Sequence, residues 1–228
     1  MIAERLTEIR ARIAQAAARA GRSGDNVRIV AAAKGQARGK IEEALDAGIR
    51  LIGHNYLQEA AREMPLIQPP DSEFHMIGHL QRNKAGKAVE LFDVIQTVDD
   101  ERLAIALDRR AAMLDRTIGV LIQVNLSGEP QKSGLPADEV AALIEAIRGL
   151  PSLRLMGLMT MPPFFDDPDR ARPYFAQLRD LRDSLVHSET LAPDMTELSM
   201  GMTGDFEVAV EEGATLVRIG TALFGERM

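Results

Sequence analysis

The chain has 228 residues, with 27 basic against 34 acidic side chains and a formal charge of −7. That acidic balance argues against a nucleic-acid-binding surface, and an apolar share of 46% excludes a disordered tail and supplies a core for one domain, 1–228. No apolar run approaches the ~20 residues of a membrane helix, and zero cysteines remove disulfides, thiolate nucleophiles and Cys-ligated metals together.

The amphipathic start, Met1–Gly21, carries Glu4 and Glu8 and lacks the continuous apolar segment of a secretory leader, so the expected location is cytoplasmic. A first helix runs from Ile2 to about Ala20, with Ile2, Leu6, Ile9, Ile13 and Ala17 on one face and Gly21 as its stop. A strand follows at Val27–Ala33, then a helix from Lys40 to Ala47. Leu51–Gly53 is a second strand, and Tyr56–Met64 a helix ended by Pro65. Phe74–Ile77 and Asn83–Leu91 form the next pair, then Val94–Val98 and Asp100–Leu114, whose acidic start suits the positive end of a helix dipole. Ile118–Asn125 is the clearest strand and precedes the helix Ala137–Arg148. Leu153–Met159 precedes Pro173–His187. Glu197–Met200 precedes Phe206–Glu212, and Leu216–Ile219 is the eighth strand, closed by a short turn at Ala222–Phe224. Eight short, apolar, often unalternated strands separated by helices predict an α/β fold, a single (β/α)8 TIM-type barrel with an extra N-terminal helix. An open doubly wound sheet is the alternative, although no Gly-rich fingerprint follows the first strand.

In such a barrel the active site lies at the carboxyl ends of the strands. Those ends here are Lys34, His54-Asn55, His79, Gln96-Thr97, Asn125, Met159-Thr160, Ser199-Met200 and Arg218-Ile219-Gly220. Lys34 closes an otherwise apolar strand. Partial burial there disfavours an ammonium and leaves an amine suited to a carbonyl, unless the lysine simply reaches water or a carboxylate. Ser199-Met200-Gly201-Met202-Thr203-Gly204-Asp205 places glycines and hydroxyls before a helix, a setting for a phosphate dianion; the plainer reading is a tight turn with Asp205 as the helix cap. Lysine and phosphate site together point to a phosphorylated carbonyl compound held at both ends, the form of pyridoxal 5'-phosphate (PLP). Arg218 either faces the pyridine nitrogen, where a donor-only guanidinium would leave it unprotonated, or forms a rim salt bridge. His54 and His79 lack metal-ligand spacing. His75 reads as a satisfied core group, His187 as a helix-end cation, and Met156, Met159 and Met161 as barrel filling.

Ordered motifs over nearly the whole chain resemble a known family. They are Ala32-Ala33-Lys34, Gly53-His54-Asn55-Tyr56-Leu57-Gln58-Glu59, His75-Met76-Ile77-Gly78-His79-Leu80-Gln81-Arg82-Asn83-Lys84, Gln123-Val124-Asn125, Lys132-Ser133-Gly134, Gly157-Leu158-Met159, Leu198 through Thr203, and Val217 through Gly225. The chain is similar to the pyridoxal phosphate homeostasis proteins (the YggS/PROSC type), related to the N-terminal barrel of alanine racemase. The resemblance implies PLP held as a Schiff base on Lys34. It implies further cofactor contacts from Asn55, His79, Ser199, Met200, Thr203, Arg218 and Gly220, and a weaker contact from Lys132. It also implies a carrier or buffer of the cofactor without robust catalysis, and the high surface charge favours a monomer. PLP-dependent apoenzymes would be its partners, with no nucleic acid or membrane involved. The family's usual glutamate is His54 here, and its usual serine before the lysine is Ala33; the first change is expected to alter the pH dependence of cofactor attachment. A PLP-dependent amino-acid racemase is the alternative. It needs acid–base groups on both faces of its substrate, and only Tyr56 and Tyr174 exist, neither closing a strand. A barrel aldolase using Lys34 as a bare amine and a pure interaction protein stand further off.

Overall fold

A computed structural model describes residues 1–64, 67, 71–129, 131–187 and 195–226, apart from the His187 side chain. Eight strands close into one parallel barrel: β1 (Arg28–Ala32), β2 (Leu51–His54), β3 (Glu73–Met76), β4 (Val94–Val98), β5 (Ile118–Gln123), β6 (Leu153–Met159), β7 (Glu197–Met202) and β8 (Leu216–Ile219). Each pairs with the next, and β8 returns to β1 through Arg28↔Leu216 to Ala31↔Ile219. Closure rules out the open doubly wound sheet. One helix precedes the barrel, α1 (Ile2–Arg19), and one follows each strand in turn: α2 (Arg38–Asp46), α3 (Leu57–Glu63), α4 (Ala85–Leu91), α5 (Glu101–Met113), α6 (Val140–Arg148), α7 (Arg172–His187), α8 (Phe206–Glu211) and α9 (Thr221–Phe224).

Side-chain alternation divides the molecule into two cores. Val30, Leu51, Ile77, Val94, Leu121, Met156, Met159 and Leu216 fill the barrel. The opposite parity (Ala31, Ile52, Met76, Ile95, Val120, Leu158, Leu198 and Val217) faces the helices. Among those helices, α1 buries Ile2, Leu6, Ile9, Ile13, Ala16 and Ala17, a 3.6-residue stripe. It lies against α8, where Arg12 pairs with Glu207 at 2.5 Å and Arg19 with Glu211 at 2.6 Å. No helix among the described residues is long and apolar enough to cross a membrane.

Most sequence-predicted elements are present with ends shifted by one or two residues. Two predicted helix starts are instead single 3₁₀ turns, Arg82–Lys84 leading into α4 and Ala137–Glu139 into α6, and a further 3₁₀ turn, Pro168–Ala171, precedes α7. Short i→i+3 turns at helix starts let the chain change direction before the α-helical ladder begins. The predicted stop at Pro65 and the helix-end role of the His187 side chain lie outside the described residues. Met156 and Met159 fill the barrel as expected, whereas Met161 is 37% exposed at its mouth.

Two glycines shape that mouth. A Cβ on Gly78 would stand 2.1 Å from the Asn55 carbonyl oxygen, so only glycine lets the chain after β3 approach the end of β2. Gly201 takes φ +89°, and a Cβ there would meet the Ala209 side chain at 2.6 Å. It turns β7 into the loop that crosses the mouth.

Candidate functional site

A cleft of about 400 Å³ opens at the carboxyl ends of the strands. A larger cavity of about 730 Å³ lies at the opposite end, but its lining lacks a lysine and has charged side chains of both signs. Barrel chemistry is built at the carboxyl end, and the reactive groups predicted from sequence collect there.

Lys34 follows Val30 and Ala32 on the inward parity of β1, two residues beyond Ala32, and projects into the cleft. It is half-buried, and its Nζ lies 4.9 Å from the centroid of the Tyr56 ring. The Gly35 N–H donates to Glu59 Oε2 at 3.3 Å, so α3 pins the turn that presents the lysine. Asn55 enters from the end of β2. Thr203, Gly204 and Asp205 come from the loop after β7, and Gly220 and Thr221 from the end of β8 and the start of α9. The Ala222 N–H donates to Thr203 Oγ1 at 3.3 Å and ties these two loops together. Space beside Gly204 is open, and at the start of α9 the Leu223 and Phe224 N–H groups are taken by the Gly220 carbonyl, which leaves the Thr221 N–H without a described partner. That is a donor-rich rim.

Arg218 lies deeper. It follows Leu216 on the inward parity of β8 and is only 4% exposed. Nη1 donates to Ser199 Oγ at 2.7 Å and Nη2 to the Thr160 carbonyl at 2.9 Å. Its described hydrogen bonds therefore go to neutral oxygens, not to a rim salt bridge, the plainer of its two readings. Burial pulls its pKa down to about 10, and Asp205 partly opposes this, so the guanidinium stays charged at neutral pH. Asp205 occupies the N-cap position of α8, but its carboxylate instead accepts the Met202 N–H at 2.6 Å. Burial raises its pKa.

Lys34, Asn55, Thr203, Arg218 and Gly220 thus share one cleft. The other predicted site residues do not line it. Ser199 is fully buried below Arg218 and donates its hydroxyl to Gln96 Oε1 at 2.6 Å. Met200, on the opposite parity, packs in the helix layer. His79 is exposed, near Asp99, whose pKa burial raises. Lys132 pairs with Glu129 at 3.0 Å. His54 corrects a further expectation. Its parity turns it away from the cleft, into the layer between β2 and the helices, with its ring 6.3 Å from Phe92. It is 1% exposed, its Nδ1 has no described partner, and desolvation lowers its pKa against the pull of Glu63 and Glu59.

Some of the site escaped the sequence reading. Tyr56 opens α3, which hid its position beside Lys34. Gln36 lines the cleft although 8% exposed. The loop Met161-Pro162-Pro163-Phe164-Phe165 forms one wall, with Phe164 86% exposed and Phe165 stacked on Tyr174 at 6.0 Å. Two prolines followed by two phenylalanines after a strand were the available signal.

Known proteins share this fold. Residues 5–228 match the family model of the alanine racemase N-terminal domain. The chain is 40% identical to the pyridoxal phosphate homeostasis protein of Aquifex aeolicus (strain VF5) over 224 residues, covering 98% of this chain and 97% of that protein. The structure of PipY from Synechococcus elongatus PCC7942 without PLP superimposes with a TM-score of 0.88 at 37% identity, over 99% of this chain and 100% of that one. The same protein with PLP bound gives 0.86 at 37% identity, over the same shares of the two chains. With a match of this length and identity, the chain belongs to the pyridoxal phosphate homeostasis protein family, built on the alanine racemase N-terminal domain.

Proposed function

We propose that this protein binds PLP in the cleft at the carboxyl end of the barrel and acts as a monomeric cytoplasmic carrier or buffer of that cofactor, without robust catalysis of its own. The observation that supports this most is the pairing of one inward lysine with a donor-rich rim across a single cleft. PLP supplies an aldehyde carbonyl that an amine can capture. Lys34 Nζ is the amine of the cleft. Thr203, Gly204, Gly220 and Thr221 offer hydroxyl and backbone donors suited to a phosphate dianion. Arg218, below them, suits the deep end of the ring; a guanidinium only donates, so it would keep a ring nitrogen unprotonated and the ring a weak electron sink. That property fits holding the cofactor better than using it. The PLP-bound PipY relative supports the same reading.

Titration with PLP and with pyridoxal, which lacks the phosphate, tests the two-ended grip. PLP is expected to give a visible absorption band and to bind at least tenfold more tightly than pyridoxal, since charge-assisted phosphate contacts are each worth about 1.5–3 kcal/mol. Equal affinities would show that the rim does not hold a phosphate, and the absence of any band would overturn the reading.

A further inference from the structure

The hydrogen bonds below the cleft run in one direction. Arg218 can only donate, and its Nη1 donates to Ser199 Oγ. The single Ser199 hydroxyl proton is then free to go to Gln96 Oε1, at 2.6 Å. That contact turns the Gln96 amide so that Nε2 meets His75 Nδ1, at 2.7 Å. Nδ1 must accept, so the imidazole proton sits on Nε2. Nε2 in turn lies 3.4 Å from Glu73 Oε2, within ion-pair distance but without hydrogen-bond geometry. Ser199, Gln96 and His75 are each 0% exposed. A cation at the carboxyl end and a carboxylate at the amino end thus bracket three buried side chains drawn from β7, β4 and β3.

The sense of this chain is fixed by its ends. A proton on His75 Nδ1 would turn the Gln96 amide about. Ser199 would then face two N–H donors, with its own proton unpartnered inside the barrel, which is costly. Glu73 is the accessible end. Its side chain is 45% exposed and lines the amino-end cavity with Arg28, Arg50 and Asp71, while the contact with His75 holds its carboxyl below the usual range.

We propose that Glu73 is a positioning residue for the Arg218 guanidinium, acting through His75, Gln96 and Ser199 across the barrel interior. The consequence for ligand binding rests on the function proposed above; the placement of the His75 proton does not.

Two readouts separate the parts. Nitrogen-15 spectra of the protein without added cofactor report the His75 tautomer, and titration with PLP reports the cleft. The parent is expected to show Nδ1 bare and Nε2 protonated. In Glu73→Gln the new amide can donate to Nε2, so the His75 proton moves in part to Nδ1. The Kd for PLP then rises roughly threefold to thirtyfold, with a shifted absorption maximum. Glu73→Asp restores both in part, which a merely structural role would not require. A proton on Nδ1 in the parent overturns the proposal. So does a Glu73→Gln variant whose His75 signal moves while Kd and absorption maximum stay put. If the parent takes up no PLP, the functional reading fails by itself, and the His75 spectra still decide the direction of the chain.

Discussion

Lys34 Nζ stands 4.9 Å from the centroid of the Tyr56 ring, at the point where β1 and the start of α3 meet over the cleft. A cation over an aromatic face at a partly exposed site is worth about 0.5–1 kcal/mol. The ring therefore holds the lysine in place. Tyr56→Ala is expected to weaken PLP binding roughly twofold to fivefold, and Tyr56→Phe to bind like the parent, because the face rather than the hydroxyl makes the contact. Equal losses in both variants would assign the effect to the hydroxyl.

Arg218 is a buried cation whose described hydrogen bonds go to neutral oxygens. Replacing such a group by an apolar side chain of similar length removes a desolvation cost along with the hydrogen bonds. Arg218→Met is expected to melt within about 5 °C of the parent yet to bind PLP roughly tenfold to a hundredfold more weakly, the worth of one charge-assisted contact. Thermal melts and a PLP titration of the same preparation separate stability from binding.

His54 contributes to acid sensitivity rather than to the cleft. Burial lowers its pKa in the folded chain, while the unfolded chain keeps the ordinary value near ~6.5. Below that value the unfolded state takes up a proton that the folded state resists, so stability falls as the pH drops from about 7 to about 5. His54→Leu should flatten the urea-unfolding free energy over that interval and leave the pH profile of PLP uptake unchanged. A changed uptake profile would return His54 to the cofactor's neighbourhood.

Gly78→Ala tests the geometry of the mouth. The added methyl would collide with the Asn55 carbonyl, and relief requires the end of β2 or the start of the next loop to shift. A loss of about 1–3 kcal/mol in urea unfolding is expected. A loss within 0.5 kcal/mol, in the ~±0.5 range of ordinary surface changes, would mean that the backbone gives way easily there.

How much of this was legible in the sequence depended on the range of the interaction. The strands showed in their local apolar runs, and Lys34 stood out as the one amine closing such a run. Parity then sorted the predicted residues into two environments. Ser199 and Met200 are neighbours in sequence, yet one supports Arg218 and the other packs under the helices. His54 looked like a cleft residue because it closes β2 at the position of the family's usual glutamate, but alternation about β2 sends it outward. The path from Arg218 to His75 needs contacts between residues 19, 103 and 21 positions apart. No local pattern records such separations. The wall at Met161–Phe165 was missed because a loop carries no periodicity to read.

The central claim is that Lys34 is the amine that captures PLP. Incubation with PLP, borohydride reduction and peptide mass spectrometry test it directly. The account predicts one phosphopyridoxyl group, on the peptide carrying Lys34, and loss of the visible band in Lys34→Ala. A group found chiefly on another lysine, or an undiminished band in Lys34→Ala, would contradict it.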